Sequence, residues 1–256
     1  MAAYLEFDHV TKIFGALQVI TPTSLSIARN EMVVFLGPSG CGKTTLMRMV
    51  GGLDMASTGE IRLEGVPVGG PDRRRGMVFQ SYSSFPWLTV AENVAFGMRY
   101  RRDLDAAQKT ERVAHYLALV GLTDFAATYP KRISGGMRQR VAIARTLAAG
   151  SDVLLMDEPF GALDAQTREH LQTQLRAIQR QDAKTIIFVT HDVEEALFIA
   201  DRVIVFSKRP ARIISEIDVA GRFGADRMLE LRETKPFFDL RNEVLRLVRH
   251  EVGVNV

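Results

Sequence analysis

The sequence predicts an α/β chain built on a mainly parallel sheet, and three observations carry that expectation. Apolar runs of four or five residues recur at Met32–Leu36, Val153–Met156, Ile186–Val189 and Val203–Phe206, as in strands buried on both faces. Helical periodicity fills the intervals between the last three, over Ala165–Arg180 and Val193–Ala200, the alternation that brings strands parallel through helical crossovers. The 256 residues are 46% hydrophobic and 25% charged, enough chain and enough apolar surface to form a core without disulfide or metal staples. A wholly disordered or collagen-like chain is excluded.

Taken in order, Leu5, Phe7 and Val10 predict a first strand, and Leu25 with Ile27 alternates with polar neighbours as a second. Some antiparallel pairing is therefore expected near the N-terminus. Met32–Leu36 ends at Gly37, and a helix begins near Lys43 with Leu46, Met49 and Val50 on one face. From Val90 to Val120 the pattern turns helical. Val94, Phe96 and Met98 are followed by an amphipathic stretch opening at Asp105, in which Val113, Tyr116, Leu117 and Val120 share a face. This segment lies between the loops Ser81–Pro86 and Thr128-Tyr129-Pro130, and predicts a helical subdomain over about 81–150 inserted in one domain spanning 1–256. At the other end, Val244, Leu245, Leu247, Val248 and Val252 predict a helical extension over about 221–256, docked on the core.

Several classes drop out early. The single cysteine, Cys41, cannot make an internal disulfide or build a zinc site alone, so a reducing compartment is expected. The N-terminal Met1–Asp8 carries early acids and no signal-peptide core. No apolar run approaches the roughly 18–20 residues that span a bilayer, so the chain is not expected to cross a membrane by itself. Net charge is only +3. The arginine clusters Arg73-Arg74-Arg75 and Arg99 with Arg101-Arg102 have no interleaved aromatics, and solvated surface arginine is expected rather than a nucleic-acid footprint.

Gly37-Pro38-Ser39-Gly40-Cys41-Gly42-Lys43-Thr44 fits G-x-x-x-x-G-K-[ST] in full, between a buried strand and a helix. Glycines let successive backbone N–H groups curl around a phosphate at a helix N-terminus. Lys43 supplies a compact cation for β- and γ-phosphates. Thr44 offers a hydroxyl to Mg²⁺, and Thr45 with the preceding amides suits the α- and β-phosphates. A nucleoside triphosphate is the expected ligand.

Val153–Met156 then delivers Asp157-Glu158-Pro159 at a strand C-terminus, where ligands sit in α/β sheets. Asp157 suits Mg²⁺, directly or through water, and Glu158 can polarise an attacking water as general base. Between these two motifs, Ile133-Ser134-Gly135-Gly136-Met137 precedes a helical stretch. Ser134 suits a cap, and the glycines admit an anion close to free N–H groups.

These motifs in this order resemble the nucleotide-binding subunit of an ATP-binding cassette (ABC) transporter, from about Tyr4 to Ile217. Ser134-Gly135-Gly136 is similar to the family's signature sequence, Gln80 to its Q-loop glutamine, Ala162-Leu163-Asp164 to its D-loop and His191 to its switch histidine. Phe14 stands where the family has an aromatic stacked on adenine, although an aromatic there equally suits a core. The resemblance implies a P-loop NTPase core with a mainly parallel sheet, an N-terminal antiparallel β subdomain and an inserted helical subdomain. It implies an ATPase using ATP and Mg²⁺, with Thr44, Gln80 and Asp157 towards the metal and Lys43, Glu158 and His191 in catalysis. Ser134, Gly135, Gly136 and Asp164 would face the nucleotide of a second copy, or of a homologous ATPase subunit, in a head-to-tail dimer.

Two departures stand out: Met137 replaces the signature's usual Gln, and Ile133 its usual Leu. The Ser134 hydroxyl and the glycine amides remain, so ATPase competence is expected to survive.

The family also implies separate permease subunits and, indirectly, an extracytoplasmic solute-binding protein, with this chain peripheral on the cytoplasmic face of a bacterial inner membrane. Tyr82, Phe85 and Trp87 are candidate docking aromatics, or local packing of the insertion. Phe85-Pro86-Trp87-Leu88-Thr89-Val90, Met137-Arg138-Gln139-Arg140, Asp201–Phe206, Arg209-Pro210 with Arg212-Ile213, and Leu229–Arg232 are similar to the nitrate/sulfonate/taurine importer group. The competing expectation is a soluble ABC-type ATPase acting on nucleic acid or ribosomes. One phosphate loop and no long coiled coil argue against it. Intact Lys43, Asp157, Glu158 and His191 argue against a catalytically dead binding module.

Overall fold

The computed structural model describes residues 3–80 and 84–252. In chain order its elements are strands β1 (Leu5–Phe14), β2 (Leu17–Ile27) and β3 (Met32–Leu36), helix α1 (Lys43–Val50), and strands β4 (Thr58–Leu63), β5 (Val66–Pro67) and β6 (Arg75–Val78). Helices α2 (Val90–Phe96), α3 (Ala106–Leu119) and α4 (Gly135–Ala149) follow, then β7 (Val153–Asp157) and α5 (Ala165–Gln181). The remainder is β8 (Thr185–Thr190), α6 (Val193–Ile199), β9 (Arg202–Phe206), β10 (Ile213–Asp218), α7 (Val219–Phe223) and α8 (Lys235–Val252). The chain divides into two compact units, Met1–Asp72 with Arg176–Val256, and Arg73–Leu175.

The first unit holds the antiparallel sheet β2-β1-β4-β5 and the strand order β10-β9-β3-β8. Strand β3 pairs in parallel with both β8 and β9. All five β3 side chains are fully buried, and so are Ile186, Ile187 and Phe188 beside them. At about 1.5–3 kcal/mol per buried large apolar side chain, these central strands are the main apolar contribution to this unit. Phe35 packs edge-on against Phe7 and Phe206, tying the two strand systems together. Helix α8 docks through the buried Phe237, Leu240 and Val244, and of the face the sequence predicts Leu245, Leu247 and Val248 are half-buried. Of the C-terminal face the sequence predicts, Val252 lies outside the described side chains.

Antiparallel pairing occurs near the N-terminus, as the sequence predicts, and also at the other end of the chain, where β10 runs antiparallel to β9. Its pattern, Ile213-Ile214-Ser215-Glu216-Ile217, is half-exposed and too short to declare itself by alternation.

The second unit contains the parallel pair β6–β7 and the helices α2, α3 and α4. Asp105 caps α3 in a reciprocal capping box with Gln108, and Thr89 does the same for α2 with Glu92. Of the two arginine clusters, Arg73, Arg99 and Arg102 are exposed as the sequence predicts, whereas Arg101 is half-buried. Arg101 pairs with Asp103 at 2.6 Å and donates to the Ala149 carbonyl at 2.9 Å, and Arg112 donates to the Ala148 carbonyl. Cations at the C-terminus of α4 satisfy its last carbonyls and oppose its dipole.

Asn93 is fully buried and organises the segment 85–89: its Oδ1 accepts from the Phe85 N–H at 2.7 Å, and its Nδ2 donates to the Phe85, Leu88 and Thr89 carbonyls at 2.9–3.1 Å. Asn93→Ala strands several backbone groups, at an expected cost of about 2–4 kcal/mol. Urea unfolding measures this, and a loss below about 1 kcal/mol would contradict it.

Candidate functional site

In the first unit, residues 37–42 turn directly from the end of β3 into α1. Packing demands the glycines. An added Cβ at Gly37 would sit 2.7 Å from the Phe206 carbonyl oxygen. Gly42 has φ +130 and is walled by Val19, Ile20 and Ala211. With glycine at its N-cap, α1 has no capping side chain and no acid in its first turn, so its leading N–H groups suit an anion. Lys43 is 4% exposed, and its ammonium donates to the Gly37 and Pro38 carbonyls at 2.7 and 2.8 Å. The cation is thus held inside the loop. Cys41 is buried there too, with its N–H directed at the Pro38 carbonyl at 3.4 Å, whereas Ser39, Gly40 and Thr44 are exposed and Thr45 is half-buried.

His191 is exposed just past the end of β8. Its neighbours fix it: the Thr190 hydroxyl accepts from the Asp192 N–H, and Asp192 caps α6 by accepting from the Glu194 and Glu195 N–H groups. Phe14 is 49% exposed, with the Lys12 ammonium 4.7 Å from its ring centre, so it is not a core residue. A flat ring with a cation beside it leaves apolar surface for a planar ligand.

In the second unit, β7 carries Asp157 to a position 5% exposed, with the half-buried Glu158 following at φ +44. A non-glycine residue in this left-handed region costs of order 1 kcal/mol, and such outliers gather at functional sites. The Gln80 amide lies 3.4 Å from a Glu158 carboxylate oxygen, bringing two of the predicted residues together.

Ser134 caps α4: its Oγ accepts from the Met137 N–H at 3.2 Å, which leaves the hydroxyl hydrogen for another acceptor. The contact uses the backbone of Met137, so its side-chain identity does not enter. Gly136 lies against the D-loop segment, where an added Cβ would come within 3.2 Å of the Ala162 carbonyl oxygen and of Leu163. Asp164 serves as the cap of α5, accepting from the Thr167 N–H at 2.9 Å. That hydrogen bond holds its carboxyl below the usual range. The cap therefore contributes in full above the ordinary carboxylate pKa and is lost as pH falls through the lowered value.

Sequence reasoning missed Gln139. It is buried on α4 and donates to the carbonyl of Phe79, the residue before Gln80, at 3.3 Å. Helical periodicity marks α4 as helix but cannot show which of its polar side chains turns inward.

Of the predicted docking aromatics, Tyr82 lies outside the described residues. Phe85 is half-buried, with its ring 4.4 Å from Phe96 and under the Arg145 guanidinium, and Trp87 is 70% exposed. Local packing holds the first while part of it stays accessible, and the second is presented outward.

A buried strand feeding a glycine-rich turn, a lysine folded into it, and a second strand ending in paired carboxylates define the class of phosphate-loop nucleotide-binding ATPases. A family model described as ABC transporter matches residues 20–161, more than half of the chain. Over 254 residues the chain is 41% identical to the nitrate import ATP-binding protein NrtD of Synechocystis sp., covering 96% of this chain and 95% of that one. It is 44% identical over 236 residues to the taurine import ATP-binding protein TauB of Jannaschia sp., covering 91% and 88%. Among solved structures, the ATP-binding cassette MJ0796, in a dimeric post-hydrolysis state bound to ADP and Pi, matches with a TM-score of 0.76 at 32% identity, covering 84% of this chain and 98% of that one. The chain belongs to the ABC transporter family, as one of its ATP-binding subunits. The expected α/β P-loop NTPase fold and transport-coupled ATPase activity stand with that membership.

Proposed function

We propose that this chain hydrolyses ATP to power import of a small, anionic solute through separate transmembrane permease subunits. One observation carries the reading: similarity at 41–44% identity extends over nearly the whole chain to ATP-binding proteins named for import of nitrate, a small anion, and taurine, a small zwitterion that presents an anionic sulfonate. Among the described residues no helix is long and apolar enough to cross a membrane, so the permeation path is assigned to other chains. The chain would then sit peripherally on the cytoplasmic face of a bacterial inner membrane, with an extracytoplasmic solute-binding protein delivering cargo to the permease.

Each side chain has a part in this reading. The loop 37–44 cradles the triphosphate, with Lys43 turning from neutral carbonyls to anionic phosphate oxygens. Phe14 stacks on adenine. Glu158 accepts a proton from the attacking water, Gln80 orients that carboxylate, and His191 contacts the γ-phosphate. Thr44, Asp157 and Gln80 offer only oxygen donors on their metal-facing groups, a hard set that fits Mg²⁺. Bound magnesium would neutralise charge developing on the transferred phosphoryl group.

Ser134, Gly135, Gly136 and Asp164 serve the nucleotide of a second copy, or of a homologous subunit, packed head to tail. ATP then bridges two cassettes, and its hydrolysis shifts the closed-to-open equilibrium that moves the permease. The permease docks at the second unit, where Phe85, Phe96, Tyr100 and Arg145 line a cavity of about 340 Å³.

The genes adjacent to this one should include a permease, and co-expressing that permease with this chain tests the proposal. The tagged chain should retain a hydrophobic multi-span protein in detergent, and that protein should stimulate its ATPase. Failure to associate, with salt-dependent binding to DNA instead, would overturn it.

A further inference from the structure

The segment joining β9 to β10 carries Arg209-Pro210 and Arg212-Ile213, singled out by the sequence, and it backs the phosphate loop at three places in the same compact unit. The Phe206 carbonyl abuts Gly37, and the Ala211 methyl abuts Gly42. Between them, the Arg209 guanidinium donates to the Gly40 carbonyl through Nε at 3.1 Å and Nη2 at 2.6 Å. The segment itself is firmly held. Ala211 donates to the Val19 carbonyl at 2.8 Å and accepts from the Thr21 N–H at 3.0 Å, while the Ser207 hydroxyl accepts from the Arg212 N–H and donates to the Lys208 carbonyl.

We propose that Arg209 is a positioning residue for the phosphate loop: by fixing the Gly40 carbonyl outward it aims the Cys41 N–H into the cradle. A trans peptide is planar, with its C=O and N–H pointing opposite ways. Pinning one therefore sets the other. The Cys41 N–H is directed across the loop at the Pro38 carbonyl, the oxygen that also holds the Lys43 ammonium. Rotation of this peptide would turn an oxygen towards the phosphates and remove a donor from the nest. Gly40 is exposed, so without Arg209 its carbonyl would find water, and folding stability would hardly change. What is lost is preorganisation, which appears as nucleotide affinity. Lysine keeps the charge but lacks the planar two-donor fork.

The inference rests on residues 37–44 being the triphosphate cradle. The test measures Mg·ATP binding, steady-state ATPase kinetics and thermal unfolding of the full chain as wild type, Arg209→Ala, Arg209→Lys and Lys43→Ala. Arg209→Ala should raise Kd and KM for ATP about fivefold, a charge-assisted hydrogen bond discounted for exposure. Its kcat should stay within about twofold and its melting temperature within about 2 °C. Arg209→Lys should recover less than half of the lost affinity.

An unchanged KM in Arg209→Ala would overturn the proposal. Full recovery by Arg209→Lys would assign the effect to net charge, and a fall in kcat at constant KM would place Arg209 at the chemistry; either outcome also overturns it. Wild-type ATP affinity in Lys43→Ala would refute the cradle itself, and the inference with it. Loss of affinity there beside a wild-type Arg209→Ala refutes the inference alone.

Discussion

Glu158→Gln should bind Mg·ATP as tightly as the wild type, lose hydrolysis by about 10²–10⁴-fold, and accumulate as an ATP-dependent dimer. The substitution changes one atom and removes the only property that general base catalysis needs, a carboxylate able to accept a proton. Little else should move. The backbone at 158 sits at φ +44, and Gln meets the same steric cost there as Glu, so the local strain is carried over unchanged. The Gln80 amide, 3.4 Å from the carboxylate, can still find the carbonyl oxygen of an amide side chain. With the bridging triphosphate intact, nothing drives the two cassettes apart. Light scattering with and without Mg·ATP reads the dimer, and phosphate release reads the chemistry. A monomer hydrolysing at the wild-type rate would refute the role given to Glu158.

What the sequence made legible, and what it hid, follows the range of the interactions. Met32–Leu36, Val153–Met156 and Ile186–Val189 announce buried strands because every side chain in them is apolar, and β3, β7 and β8 lie at those places. Ser134 reads as a cap because capping is settled within three residues. The glycine-rich motif is local as well: its spacing between strand and helix is itself the information.

Contacts between residues distant in sequence leave no comparable trace. Arg209 meets Gly40 from 169 positions away, and Gln139 meets Phe79 across 60. Gln139 looks like one more polar residue on a helix whose periodicity is already explained. Arg209, marked only as part of a likeness to relatives, lies in a connection whose sequence names no partner. Asn93 sits in a helix read for Val94 and Phe96, yet its amide holds the preceding loop. The left-handed backbone at Glu158 has no compositional signal at all, because Glu has no preference for it. Strand β10 escapes because an edge strand has one buried face and here spans six residues.

Lys43→Ala carries the other large effect: a loss of ATP affinity of about 100-fold or more, equivalent to roughly 2.7 kcal/mol. The side chain is 4% exposed, and its ammonium already spans the loop between the Gly37 and Pro38 carbonyls. A group so placed has paid its ordering entropy before the ligand arrives. Against phosphate oxygens it makes charge-assisted hydrogen bonds in a water-poor position, worth more than the neutral ones they replace. Alanine removes that cation and leaves the loop's backbone amides to hold the anion alone.

ADP affinity should fall too, but less than ATP affinity, because ADP lacks the γ-phosphate that Lys43 is proposed to bind. That asymmetry separates loss of a phosphate ligand from collapse of the loop, which would weaken both nucleotides equally. The strand behind it is fully buried and unaltered, so thermal unfolding in the absence of nucleotide should shift little. Titration calorimetry with ATP and ADP decides the matter: equal affinities before and after substitution would remove Lys43 from the site.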